Sequence, residues 1–67
     1  MTDSLAATNL QKIDDLMATV TISEDLDRVL AEHVDRAKAA LAAGDERESV
    51  AISSKVLERL HQEEAGA

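Results

Sequence analysis

Two amphipathic segments joined through the dipeptide Gly44-Asp45 constrain the fold of this chain more than any other feature of its sequence. In the preceding segment, apolar residues recur at intervals of three and four and form a face roughly 140° wide around a helix. The following segment repeats the pattern with a second apolar arc. Because so short a connection joins only neighbouring helices that run antiparallel, the sequence predicts a helix hairpin.

Side-chain signals predict the ends of the two hairpin helices. The first is expected over about 23–43, because Ser23 is a suitable N-cap and Gly44 suits the left-handed residue that ends many helices. The second is expected over about 46–62, after Asp45, which forms a capping box with the acidic residue three positions later. We expect the two helices to pack through a shared seam formed by Leu26, Leu30, His33, Val34, Ile52, Val56 and Leu60.

A shorter helix over about 4–17 precedes the hairpin, and its apolar residues also recur at helical spacing. Residues 19–22 interrupt the pattern, because four β-branched residues in a row form helices poorly and here alternate polar with apolar. Two interpretations of this segment stay open, a bent linker and a short β-strand. The first helix is the segment least firmly tied to the rest, and we expect it to face a partner protein through Leu10, Ile13, Leu16 and Met17.

The composition limits how much stability a single copy of this fold can reach. The 67 residues include no Cys, Trp, Tyr or Phe, so the core consists of aliphatic residues and Met, without a disulfide. A chain this short buries only ~60% of its unfolded surface, and oligomerisation is one remedy for a small core. We therefore expect one all-α domain over 1–67, frayed at 1–3 and 63–67, that associates with a protein partner, with itself, or with both.

The excess of acidic residues narrows the classes of partner. Fourteen Asp and Glu against seven Lys and Arg give a net charge of −7, and the bases form no patch. Nucleic acid and anionic membrane surfaces are disfavoured, since both bind clustered Lys and Arg. The chain also has no apolar run approaching the ~20 residues of a membrane span, and its start lacks the features of a signal peptide. We expect a cytoplasmic protein.

No arrangement of side chains in the sequence predicts catalysis. Adjacent carboxylates such as Asp14-Asp15 point about 100° apart on a helix, so they do not converge on one substrate atom. His33 is expected to pack at the hairpin seam, with a metal-binding or pH-sensing role as the alternative. Ser53 and Ser54 are expected to be small packing residues. We therefore expect a protein that is not an enzyme and that uses no cofactor, metal or small-molecule substrate.

Two resemblances support a helix hairpin, and the second of them also implies a protein partner. Residues 44–50, followed by Lys55, Leu57 and Glu58, resemble the second half of a tetratricopeptide repeat. The whole chain, with its Leu-Asp-Arg-Val-Leu-Ala-Glu helix over 26–32 that runs on to the glycine turn, resembles the YscE/PscE-type co-chaperones of type III secretion. Those proteins are helical hairpins that join a chaperone to hold the needle subunit, so this resemblance implies an adaptor or co-chaperone.

A third resemblance leads to a different class of function. Residues 19–26 and the later Val56-Leu57 pair resemble ribbon–helix–helix antitoxins of the ParD kind, whose strand pairs with its twin and lies in the DNA major groove. Residues 14–26 of this chain, however, contain no base. The sequence therefore favours a small acidic helical module that acts as adaptor or co-chaperone through its apolar stripes. The alternative is a dimeric ribbon–helix–helix regulator that uses 19–22 as a strand.

Overall fold

The computed structural model describes residues 4–66, and these residues form three helices and no β-strand. The helices are α1 (Leu5–Thr19), α2 (Glu24–Ala42) and α3 (Glu46–Ala65). The predicted all-α fold with a dominant antiparallel hairpin is thereby confirmed. The expected fraying at 1–3 and at 67 lies outside the described residues, whereas α3 continues three residues beyond its expected end at 62.

Local hydrogen bonds explain where each helix begins. Ser4, Ser23 and Asp45 are the N-caps, and each side chain accepts a hydrogen bond at 3.1–3.2 Å from the backbone N–H three residues later. Between α2 and α3, Gly44 has φ +84°, a left-handed conformation that strains any residue with a Cβ. The Asp45 N–H donates to the Ala40 carbonyl across this turn, which closes the end of α2.

The ambiguous segment 19–22 is a connection between helices. Thr19 is the last residue of α1, and its hydroxyl donates to backbone oxygens one turn earlier in the helix. Val20 then turns extended, with φ −88° and ψ 131°, and residues 20–23 lead into α2. Of the two interpretations, the structure therefore shows the linker.

The two short connections produce an up–down–up bundle in which α1 runs parallel to α3. The hydroxyl of Ser4 lies 2.8 Å from both carboxylate oxygens of Glu46, and Asn9 reaches the hydroxyl of Ser53 further along the same helix pair. All three helices contribute to one core. Its buried apolar residues are Leu10, Ile13, Leu30, Val34, Ala37, Val56 and Leu60.

The expected partner-facing stripe of α1 is largely internal. Leu10 and Ile13 are buried in the core, so in this fold they are not available to a partner. Leu16 and Met17 are half-buried and pack against the same cluster. The physical reason is the composition: without aromatic side chains the α2/α3 hairpin cannot enclose a core, and α1 supplies the missing apolar surface.

Most of the predicted hairpin seam lies between the helices. Four of its residues are buried in the core, while three are half-buried toward one side of the hairpin. The half-buried residues are Leu26, His33 and Ile52. They leave an apolar strip along that side of the α2/α3 hairpin.

Candidate protein-interaction surface

A shallow groove between α2 and α3 has an apolar floor and a basic rim. We name it the α2/α3 groove, and it has a volume of about 280 Å³. Val29 is the exposed apolar residue on its border, with 47% of its surface accessible. The described residues that line it come only from the hairpin helices: Leu26, Val29, Leu30, His33, Lys55, Val56 and Arg59.

Charged side chains of α2 lie beyond Val29, on the outer border of the groove. At about 100° per residue, Asp25, Glu32 and Arg36 fall within about 60° of Val29 on the side away from Leu26. All three are exposed. We call this row the α2 edge.

A matching row of exposed charges on α3 forms the opposite border. Glu48, Lys55 and Arg59 lie within about 40° of one another around the helix and are exposed. The Arg59 Nε lies 3.6 Å from a carboxylate oxygen of Glu63 one turn later. We call this row the α3 edge. Within residues 4–66 no salt bridge joins the two edges, and the ion pair that Arg59 makes is with Glu63 of its own helix.

His33 packs in the α2/α3 groove against its own helix. Its Nδ1 lies 2.7 Å from the backbone oxygen of Val29, and the side chain is half-buried. Among the described residues no group of three or more His, Cys, Asp and Glu is placed to hold a metal ion. His33 thus forms part of the groove wall.

A second apolar area lies on the other side of α3. Most of this area is lined by residues of α3 alone, between Ser54 and Ala65. It is therefore an exposed face of one helix and not a groove between two helices. A neighbouring recess combines Leu16 with Lys12 and His61. Leu16 of the predicted partner stripe therefore borders an open surface, unlike the buried Leu10 and Ile13. The α2/α3 groove has two walls and organised charge, which makes it the better candidate.

Buried polar residues form hydrogen bonds between the helices, which the sequence did not predict. Ser49 and Ser53 are fully buried, and the Ser49 hydroxyl donates to the Ala37 carbonyl at 2.8 Å. Asn9 of α1 donates to the hydroxyl of Ser53 at 3.2 Å. The packing role expected for Ser53 agrees with this placement. The burial of Ser49 could have been predicted from its spacing. Positions 49, 53, 56 and 60 follow one another at intervals of three and four, so they share one face of the helix.

Glu46 ties the start of α3 to the start of α1. Its carboxylate accepts hydrogen bonds from the Ala6 backbone N–H at 3.1 Å and from the Ser4 hydroxyl at 2.8 Å. These donors hold the pKa of Glu46 below its usual range, with the Ala6 N–H the larger cause. Sequence reasoning missed this contact, because it joins residues about forty positions apart.

The fold and this surface define a class: small acidic three-helix bundles that present an apolar groove between charged helix edges. The chain belongs to the PA14_33160 family, whose model matches residues 4–63. No curated protein and no solved structure matches it. Over residues 4–66, no helix is both long and apolar enough to cross a membrane.

Proposed function

We propose that this protein is a protein-interaction module that acts as an adaptor or co-chaperone, and that the α2/α3 groove is its docking surface. The observation that carries the proposal is the half-exposed Val29 beside a two-walled apolar groove. Complete burial of a Val side chain contributes about 1.5–3 kcal/mol, of which roughly half is still available at this exposure. A partner helix that lays an apolar face into the groove would use that remaining free energy.

The regulator alternative requires residues 19–22 as a strand. Thr19 belongs to α1, and the residues after it connect two helices. No observation therefore favours that alternative as a second proposal.

The test compares two variants that add the same charge to α2. Val29→Asp places a carboxylate on the groove border, whereas Ala31→Asp places one at an exposed position on the far side of the helix. Each protein is immobilised, exposed to extract from source cells and washed, and the bound chains are identified by mass spectrometry. Circular dichroism verifies that both variants remain helical.

A protein retained by the wild type and by Ala31→Asp, but lost with Val29→Asp, supports the docking surface. Co-capture of an untagged copy of the same chain counts as such a protein. Equal retention of every bound protein by all three baits would show that the α2/α3 groove is not the docking surface.

A further inference from the structure

We propose that the occupant of the α2/α3 groove is a second copy of this chain, related to the first by a two-fold axis parallel to the helices. The proposal rests on the proposed function, because it names the partner of the same surface. It follows from the order of charges on the two edges of the groove. These charges are complementary to each other, and within residues 4–66 no ion pair joins one edge to the other, although Arg59 is paired with Glu63 of its own helix.

Each edge carries three charges, and the two sets are complementary in sign when α3 is read in the direction of α2. Along the α2 edge the intervals are seven and four residues, and the order is acid, acid, base. Along the α3 edge the intervals are again seven and four, and the order is acid, base, base. Because α3 runs antiparallel to α2, the α3 order reverses in space to base, base, acid, and its intervals become four and seven. Each charge of one edge then lies nearest an opposite charge of the other, with an offset of one or two residues.

The register of the hairpin brings the matched charges to similar heights along the helices. The hydrogen bond from Ser49 to the Ala37 carbonyl marks two positions at the same height on α3 and α2. Counting from there at ~1.5 Å per residue, the members of each matched pair lie within about 3 Å of one another along the helix axis. The pairs are Asp25 with Arg59, Glu32 with Lys55, and Arg36 with Glu48.

A two-fold axis parallel to the helices would bring the complementary edges of two copies into contact. Such a rotation preserves height and places the α2 edge of one copy on the α3 edge of its partner. Each ion pair then occurs twice, as an isologous interface requires, and Val29 of each copy lies over the apolar centre. Within residues 4–66 of one copy these pairs do not form, and the α2/α3 groove lies between the two edges.

The size of the chain agrees with a paired surface of this extent. A stable interface buries about 800 Å² per partner, which is about a sixth of the 4649 Å² surface of this molecule. The groove alone is too small, so the interface must use both edges along most of the hairpin. Burial of Val29 and Leu26 would also add apolar surface to a core that has no aromatic residue.

The closing experiment is a charge exchange followed by sedimentation. Glu32→Lys and Lys55→Glu each place like charges across both symmetric pairs, so each variant alone should dimerise about tenfold more weakly than the wild type at low salt. When the two variants are mixed, the heterodimer has opposite charges at both positions and should regain wild-type affinity. Matched controls are Glu58→Lys and Lys38→Glu, exposed positions outside both edges.

The outcomes separate this inference from the proposed function. Weakening by each edge variant, restoration in the mixture and no change in the controls support the two-fold dimer. A wild-type chain that stays monomeric at every concentration overturns it, as do edge variants that dimerise like the controls. If the chain is monomeric but Val29→Asp still abolishes capture of a different protein, the docking surface is correct and the second copy is wrong.

Discussion

Replacement of Ile13 by Ala tests whether α1 is part of the core or a separable partner-binding helix. Ile13 is fully buried, and the substitution removes three carbon groups at ~0.8 kcal/mol each, in addition to leaving a cavity. We expect a loss of about 3 kcal/mol. A 67-residue domain has a total stability of roughly 3–10 kcal/mol, so this loss removes between about a third of it and all of it.

The assay is urea denaturation followed by far-ultraviolet circular dichroism, because the chain has no Trp or Tyr for fluorescence. The matched control is Leu5→Ala in the same helix. Leu5 is 56% exposed, and its truncation should change the free energy of unfolding by less than about 0.5 kcal/mol. If Ile13→Ala costs no more than Leu5→Ala, α1 does not pack as described, and its apolar stripe would again be a candidate partner surface.

Two further predictions concern polar contacts between helices. Glu46 has a lowered pKa, so its contribution to stability is present above the ordinary value of 4.5 and is lost as the pH falls through the lowered value. Urea titrations at neutral and acidic pH should therefore show a smaller acid loss for Glu46→Gln than for the wild type. Ser49→Val should lower the free energy of unfolding by about 2 kcal/mol, because it removes the hydrogen bond to Ala37 and crowds a closed interface. The exposed Ser54→Val is its control and should cost less than Ser49→Val, because it removes only the 3.4 Å hydrogen bond that Asn9 donates to Ser54. An unchanged acid dependence for Glu46→Gln would contradict the first of these, and equal costs for the two serine variants would contradict the second.

The helices themselves could be predicted because their signals are local. Ser23 and Asp45 cap helices through backbone groups three residues away, and Gly44 adopts the left-handed conformation that its position suggested. The residues of the hairpin seam could also be predicted, since the periodic apolar residues of two antiparallel helices must face each other. Thr19 shows the limit of such reasoning, because its β-branched side chain did not prevent it from ending α1.

The role of α1 could not be predicted in the same way. Periodicity identifies an apolar stripe but not what covers it, so Leu10 and Ile13 suited a partner surface as well as a core. The candidate site also has a signal in the sequence, namely three charged residues on one face of α2 and three on one face of α3. That signal acquires meaning only when the register of the hairpin is known, because it depends on which charges share a height.

The sequence by itself determined three helices, their caps and the antiparallel turn at Gly44-Asp45, because each depends on interactions within a few residues. Only the tertiary structure decided that α1 closes the core, that Glu46 holds the start of α1, and that Val29 remains exposed between two charged edges. These features depend on contacts between residues far apart in the chain. Their free energies come from packing and desolvation, which no local pattern specifies.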